Sequence, residues 1–363
     1  MNSVRLHRQL VQALAAIGVG ASQPQRSNLA GLSQALAFSA DCHLATLALG
    51  LPFSGQRENL IQRLRRFLKS AGLQPLACYG PLVRHLLARW PHREVTLVMD
   101  RTDLENRLSI LTLGAAYRKR LLPLAWEVSD FGATSATRQI ALLKWVQPHL
   151  PPLSQVRINF YADAEFRGVD VQAYCREMKW HWQVGLKSDL HFHNGDEIWQ
   201  PLRELGLQRG DRCYRQGVYL NQQRPFGPVN VMADWAPAQD APRYWALDLP
   251  ADAQAWRRGR KRYWIEPTFR DWKSYGFDLE KSKLADPDRL DVLLLGMALT
   301  TVWMIHVGDW LVHSGRRQEL VPPDKADYSL FRLGRDYLQR ARTLDHRIPV
   351  GFTVGPPTGA SHA

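Results

Sequence analysis

The sequence predicts an α/β protein in which a mixed sheet is covered by helices. Apolar residues recur at helical spacing up to about residue 90, and from residue 94 short apolar runs replace that pattern. The predicted order of the next elements is strand, strand, strand, helix, strand, helix, strand, which is typical of a sheet with helices on its faces. Apolar residues occupy 45% of the 363 positions, enough for a large core.

Residues 1–90 are predicted to form an all-helical domain. The third helix has an apolar side, which includes Leu60 and Leu64, and a cationic side that can lie along a phosphate backbone. An ordinary solvated surface is the alternative interpretation of that charge. Clusters of Gly, Pro and Ser separate helices near residues 3–17, 29–38, 57–69 and 80–90. The candidate DNA-binding side chains of the third helix are Arg63, Arg65, Arg66 and Lys69.

Residues 91–187 are predicted to form the first part of the sheet. Its first and fourth strands end at Asp100 and Asp163. Sites in such sheets form at the carboxyl ends of parallel strands, so these two side chains are expected to lie together. Either Thr134 or Ser135 is expected to cap the helix that precedes the fourth strand. The predicted strands are Val95–Met99, Leu108–Tyr117, Leu121–Val128, Val156–Ala162 and about 181–187, with a second helix at about 168–179.

The remainder of the chain is predicted to interrupt and then complete this sheet domain. Residues 188–255 are rich in Gly, Pro and aromatic side chains with short alternating stretches, which indicates a β-rich insertion. Residues 256–314 return to the main domain and end in an apolar helix, whose run from Val292 to Ile305 is shorter than the ~20 residues that span a bilayer. Residues 315–363 are predicted to be a basic C-terminal helix and a flexible tail.

The composition predicts the kind of partner. Lys and Arg total 47 against 34 Asp and Glu, a formal charge of +13, and the pI is about 9.8. This balance is typical of a protein that binds a polyanion such as nucleic acid, although a basic soluble surface remains an alternative. No glycine-rich phosphate loop occurs, so no nucleotide cofactor is expected. We expect no membrane association and a cytoplasmic, nucleoid-associated location.

The cysteines and two histidines do not predict a metal site. The four cysteines are far apart in the sequence, with no Cys-x-x-Cys pair, which argues against zinc and a disulfide framework. His191 and His193 alternate in one predicted strand without a Cys or carboxylate at useful spacing. They are therefore predicted to be exposed strand residues.

A third acidic residue, Glu266, completes the candidate chemistry. Pro267 is tolerated only in the first turn of a helix, so Glu266 is predicted to begin one. Lys273 follows by nearly two turns and is expected on the same face, unless both side chains are simply solvated separately. If Asp100, Asp163 and Glu266 converge, they can hold two divalent metal ions, which are the usual means of in-line displacement at a phosphodiester. The alternative role for each aspartate is that of a cap or turn residue.

Three blocks of the sequence resemble the DDE transposases of bacterial insertion sequences, in the insertion-sequence-four family. The first block of that family, Asp-x-Thr, matches Asp100-Arg-Thr102. The second, Asp-x-Gly-Phe or Asp-x-Gly-Tyr, matches Asp163-Ala-Glu165-Phe166 except that Glu165 replaces Gly. Glu165 is also a neighbouring competitor for the metal-ligand position of Asp163.

The third block of the family reads Tyr-x2-Arg-x3-Glu-x6-Lys. Arg262, Glu266 and Lys273 match its spacing, and Gly259 stands at the Tyr position. The resemblance extends from about residue 90 to 315, and three blocks in order are more specific than any one of them. The glycine removes one phosphate contact that the resemblance implies, and it leaves open how efficiently DNA hairpins would form.

The resemblance implies a ribonuclease-H-like catalytic core, divided by the β-rich insertion, and cut-and-paste transposition of DNA. Asp100, Asp163 and Glu266 would be the catalytic ligands of two Mg²⁺ or Mn²⁺ ions. Arg262 and Lys273 would bind DNA phosphates near the cut. The reaction needs no covalent protein intermediate.

The resemblance also implies the partners. They are double-stranded DNA, as the terminal inverted repeats of the element and as target DNA, and a second copy of the chain in a homodimer. Relatives release the element through a DNA hairpin with a flipped base that stacks on an aromatic side chain of the insertion, and Trp235 and Trp245 are the candidates here. The alternatives are a metal-dependent nuclease or resolvase without strand transfer and a DNA-binding relative without catalysis.

Overall fold

A ten-stranded mixed sheet is the centre of the protein, seen in a computed structural model that describes residues 3–325 and 327–356. The strands are β1 (Glu94–Leu104), β2 (Leu108–Tyr117), β3 (Arg120–Asp130), β4 (Arg157–Ala162), β5 (His181–Leu186), β6 (His191–His193), β7 (Gln200–Pro201), β8 (Arg212–Leu220), β9 (Phe226–Asp234) and β10 (Arg243–Leu247). Their order in space is β3-β2-β1-β4-β5-β10-β9-β8-β6-β7. Strands β1, β4 and β5 are parallel, and the other pairs are antiparallel. The strands of the 188–255 segment therefore extend the same sheet beyond β5.

The described residues form eleven α-helices. They are α1 (Ser3–Ile17), α2 (Gln23–Phe38), α3 (Leu44–Gly50), α4 (Arg57–Leu68), α5 (Pro75–Leu87), α6 (Ala136–Val146), α7 (Val169–Glu177), α8 (Ala253–Gly259), α9 (Ile265–Arg270), α10 (Pro287–His313) and α11 (Leu330–Thr343). The helices α6 and α7 connect β3 to β4 and β4 to β5, and they pack on the sheet. Helices α1 to α5 precede the sheet in the chain.

Helix α10 joins the helical layer to the sheet. It starts where Pro287 occupies the first turn and the Asp286 carboxylate accepts a hydrogen bond from the Arg289 amide at 3.2 Å. The helix contacts β3 on one side and α2, α4 and α5 on the other, and α11 packs along it. It is long and apolar enough to cross a membrane, but 89% of its most apolar stretch is buried inside the protein. This burial is that of a core helix, as the sequence predicts for Val292–Ile305.

Most predicted elements of the sheet domain are present, with small shifts at their ends. Ser135 is the cap of α6, since its Oγ accepts a hydrogen bond from the Arg138 amide at 3.4 Å. In the helical region, α3 was not predicted, and α5 begins at Pro75 rather than near residue 80. An exposed position is wrong for His193, which is buried and stacks on Tyr219 with ring centroids 4.9 Å apart.

Part of the C-terminal segment packs against α10. The predicted basic helix corresponds to α11. Beyond it, the Trp303 indole donates a hydrogen bond to the Pro349 carbonyl at 2.9 Å, and Phe352 is buried. Residues 357–363, which belong to the predicted flexible tail, lie outside the described residues.

Candidate active site

The parallel pairing of β1 with β4 places Asp100 beside Asp163. The predicted end of the first strand at Asp100 is wrong, because β1 continues to Leu104 in its pairing with β2. The two strands are parallel with Met99 opposite Ala162, so the next residue of each is an aspartate. The Asp100 Oδ1 accepts a hydrogen bond from the Arg101 amide at 2.8 Å. The Asp163 Oδ1 accepts one from the Glu165 amide, also at 2.8 Å, as Asp163 caps a short 3₁₀ turn. Each aspartate therefore has one oxygen fixed by the backbone, and the other oxygen can bind a partner.

Glu266 reaches the same place from the first turn of α9, as Pro267 predicts. The helix is fixed to the sheet by a small apolar cluster in which Ile265 and Phe269 pack with residues of β1 to β4. A hydrogen bond of 2.9 Å from the Leu121 amide to Thr268 Oγ1 adds a polar contact between α9 and β3. These contacts set α9 across the strands and leave the Glu266 side chain 50% exposed.

The Arg262 guanidinium contacts all three carboxylates. Its Nη2 lies 3.4 Å from Asp100 Oδ2 and 3.1 Å from Asp163 Oδ2, and its Nη1 lies 3.0 Å from Glu266 Oε1. The side chain of Arg262 is only 15% exposed. The three acidic residues that the sequence predicts to meet are thus brought together around one positive charge.

The surroundings of Asp100 change the pKa of its carboxyl group. Burial raises the pKa of its carboxyl from 3.8 to about 7. The positive charge of Arg262 and the hydrogen bond from the Arg101 amide act against this rise, whereas the negative charges of Asp163 and Glu266 add to it. The cluster therefore contains more negative charge than Arg262 neutralises.

The donor atoms suit a hard divalent cation, although the side chains as they stand do not enclose one. Within residues 3–325 and 327–356, no three His, Cys, Asp or Glu side chains are grouped closely enough to hold a metal ion. The Arg262 guanidinium lies among the three carboxylates. Carboxylate oxygens are the ligands that Mg²⁺ prefers, and the excess negative charge fits additional cations. The Nε of Arg262 is buried without a hydrogen-bond partner among the residues described.

Glu165, the competitor for the position of Asp163, points elsewhere. Its carboxylate lies 3.0 Å from Arg101 Nε and accepts a hydrogen bond from the Thr134 amide at 3.0 Å. Asp163 is the residue that contacts Arg262. The geometry therefore separates the two acidic residues that the sequence left as alternatives.

Lys273 lies in the turn that follows α9. Helix α9 ends at Arg270, and a π-helical turn follows over Asp271–Tyr275. The Lys273 ammonium donates a hydrogen bond to the Asp103 carbonyl at 2.7 Å and lies 3.4 Å from Glu280. Lys273 is thus held against the end of β1, three residues beyond Asp100.

Comparison with known protein families shows which family the chain belongs to. A family model described as "Transposase DDE domain" matches residues 105–303, more than half of the chain. The chain belongs to the DDE transposase family. The matched segment contains Asp163, Arg262, Glu266 and Lys273, and it begins five residues after Asp100.

Two further comparisons give the extent of similarity to individual proteins. One solved structure similar to this transposase is a cryo-EM structure of the piggyBac transposase synaptic complex with hairpin DNA. The sequence identity is 12%, the match covers 93% of this chain and 79% of that chain, and the TM-score is 0.49. Among the curated proteins, no significant match is found.

An aromatic and cationic cleft of about 940 Å³ lies beside the carboxylate cluster. Trp245 of β10 is half-buried in its wall. Trp235 does not line this cleft, and its indole donates a hydrogen bond to the Gln239 carbonyl at 3.0 Å. The cleft is also lined by Trp256 and Tyr263, which flank the basic run 257–262. The position of Trp256 directly before this basic run is a sequence signal by which it could have been found.

Gly259 allows a close contact inside this cleft. A Cβ atom at position 259 would lie 2.1 Å from the Gln183 side-chain nitrogen, which is far closer than atoms can approach. Gln183 is 6% exposed and lines the cleft from β5. Any side chain at position 259 would therefore require Gln183 to move, and glycine leaves the glutamine in place.

The cationic side chains of α4 do not all face solvent. Arg63 is held inside the helical layer, with its Nε 2.9 Å from Asn28 Oδ1 and its guanidinium 3.7 Å from the centre of the Phe53 ring. The other candidate side chains are exposed, namely Arg65, Arg66 and Lys69.

Proposed function

We propose that this transposase belongs to the insertion-sequence-four type and catalyses cut-and-paste transposition. In this proposal it binds the terminal inverted repeats of an insertion sequence, cuts the ends through a hairpin and joins them to target DNA. The observation that carries the proposal is the contact of Asp100, Asp163 and Glu266 with one guanidinium. The spacing of Arg262, Glu266 and Lys273 supports the assignment to this type.

The catalytic core is proposed to be ribonuclease-H-like. The support is the order β3-β2-β1-β4-β5, in which an antiparallel three-stranded meander is followed by two parallel strands. Helices α6 and α7 provide the connections to the parallel strands. In this arrangement Asp163 follows the carboxyl end of β4, and Asp100 lies beside it where the pairing of β1 with β4 stops, at the edge where sites form in sheets with parallel strands.

Asp100, Asp163 and Glu266 are proposed to hold two Mg²⁺ or Mn²⁺ ions. Divalent ions bound there would activate the attacking hydroxyl group and stabilise the departing oxygen of the scissile phosphodiester. For the carboxylates to accept cations, Arg262 has to withdraw, and Asp100 has to be ionised. The guanidinium, with its buried Nε, is then available to bind a DNA phosphate close to the cut.

The surroundings of the cluster support DNA as substrate. The cleft combines aromatic side chains with a cationic wall, the combination that binds unstacked bases and phosphates. Trp245 is therefore proposed as the base-stacking residue in preference to Trp235. Lys273, held at the end of β1, is proposed to approach a phosphate on the neighbouring strand.

The remaining partner assignments are also proposals. The exposed Arg65, Arg66 and Lys69 of α4, together with the basic face of α11, are proposed to contact the inverted repeats. A homodimer would bridge two DNA ends, without a nucleotide cofactor, at the bacterial nucleoid.

The test is cleavage of DNA that carries the ends of the element. Asp163→Asn is expected to abolish Mg²⁺-dependent cleavage while DNA binding is retained, because the substitution removes one negative charge and replaces one carboxylate oxygen by an amide nitrogen. Asp130→Asn, at the exposed end of β3, is the matched control and is expected to cleave normally. Equal cleavage by Asp163→Asn and the wild-type protein would contradict the assignment.

A second assay separates the alternatives. Pre-cut ends incubated with Mg²⁺ and a target plasmid are expected to become joined to the plasmid. Cleavage without joining would indicate a nuclease or resolvase, and binding without cleavage would indicate a silent DNA-binding relative.

A further inference from the structure

A second ion pair lies next to the two aspartates. Arg101 follows Asp100 in β1, and Glu165 follows Asp163 by two residues. The Arg101 Nε lies 3.0 Å and 3.1 Å from the two Glu165 carboxylate oxygens. The two side chains are only 20% and 22% exposed, so water screens their attraction less than that of a surface pair.

The same two residues hold the aspartates through their backbone. The Arg101 amide donates to Asp100 Oδ1, and the Glu165 amide donates to Asp163 Oδ1, each at 2.8 Å. The two aspartates are therefore linked through these two amides and the Arg101–Glu165 ion pair. A change in the separation of the strand ends would disturb all of its members.

The pair is also tied to the neighbouring segments. Glu165 accepts a hydrogen bond from the Thr134 amide, in the loop between β3 and α6. Arg101 Nη1 contacts the Asp103 carboxylate and lies 3.3 Å from Ser109 Oγ in β2. These contacts hold both side chains from several directions, which makes the connection between the aspartates stiff.

We propose that Arg101 and Glu165 are positioning residues that set the separation of Asp100 and Asp163 for cation binding. This inference rests on the proposed metal-dependent function. Neither side chain takes a place among the carboxylates around Arg262. Glu165 stands where the second sequence block has glycine, so the pair is a feature of this chain rather than of the motif.

The test measures Mn²⁺ affinity of the DNA-free protein by calorimetric titration. Arg101→Ala and Glu165→Ala are each expected to weaken Mn²⁺ binding about tenfold, the range found for outer-shell partners of metal ligands. The double variant is expected to lose no more than either single variant, because both remove the same connection. The charge-reversed pair Arg101→Glu with Glu165→Arg is expected to recover part of the affinity.

Arg138→Ala is the matched control. It removes the Arg138–Glu127 ion pair, which has an N···O distance of 2.7 Å and side chains that are 31% and 35% exposed. Its Mn²⁺ affinity is expected to equal that of the wild-type protein even where its thermal midpoint falls. Glu165→Gln, which keeps the side-chain shape and the acceptor for the Thr134 amide, is expected to fold and to bind Mn²⁺ more weakly than the wild type.

The outcomes separate the two proposals. Normal Mn²⁺ binding by Arg101→Ala or Glu165→Gln would overturn the positioning role while leaving the metal site intact. Weakening equal to that of Arg138→Ala, or additive losses in the double variant, would overturn it too. A wild-type protein that binds no Mn²⁺, with or without DNA, would instead contradict the proposed function itself.

Discussion

Asp100→Asn is expected to abolish cleavage and at the same time to stabilise the metal-free protein. Asparagine resembles the protonated, neutral form of Asp100, which the buried site favours. The pKa of Asp100 is raised from 3.8 to about 7, and each unit corresponds to about 1.4 kcal/mol. Keeping this carboxylate ionised in the folded state therefore costs about 4 kcal/mol once the pH exceeds both values.

The direction of the pH dependence follows from this shift. Because the folded state binds the proton more tightly than the unfolded state, Asp100 contributes no penalty below pH 3.8. The penalty grows as the pH rises above 3.8, and it levels off above about pH 7. The free energy of unfolding of Asp100→Asn should thus exceed that of the wild type by about 2 kcal/mol at pH 5 and about 4 kcal/mol at pH 8.

Urea unfolding in the presence of a chelator, at both pH values, measures the difference. Asp130→Asn, which changes an exposed residue at the end of β3, should leave the unfolding free energy unchanged at either pH. An Asp100→Asn protein that is less stable than the wild type at pH 8, or whose advantage does not grow with pH, would refute the reasoning. Added Mn²⁺ should stabilise the wild type more than the variant, because a ligand stabilises the state that binds it.

Three other expectations concern the cleft, the helical layer and the packing of α11 on α10. Trp245→Ala should weaken binding of DNA with an unpaired end base by about 1–3 kcal/mol in a fluorescence titration, whereas Trp235→Ala, outside the cleft, should not. If Arg65 and Arg66 contact phosphates, replacing both by Ala should reduce the slope of log affinity against log salt by about 2, and an unchanged slope would remove α4 from the interface. Gly334→Ala should lower the unfolding free energy by about 1–3 kcal/mol or more, since its Cβ would lie 1.9 Å from the Met304 carbonyl oxygen in α10; Gly72→Ala, with no atom within 4 Å, is the control.

The proximity of Asp100 and Asp163 could be predicted from the apolar runs that precede them. Each residue ends an apolar run, and parallel strands place such ends side by side. Glu266 could be predicted from Pro267, which limits where a helix begins. The structure places these three residues around Arg262 as that reasoning requires.

Other features depend on contacts that the local sequence does not encode. The π-helical turn that contains Lys273 forms where the chain after α9 packs against α11, and Phe331 of α11 lies against this turn at Gly276. The continuation of the sheet from β5 into β10 depends on pairing between residues about 60 positions apart, such as Val184 with Ala246. A periodic pattern predicts strands but not their partners.

The contact between Gly259 and Gln183 constrains how this lineage can change. A tyrosine gained at position 259 would meet the side-chain amide of Gln183, so that side chain would have to move or be replaced. A smaller residue at position 183 would make room for the aromatic ring. Changes at two codons distant in the gene are thereby coupled.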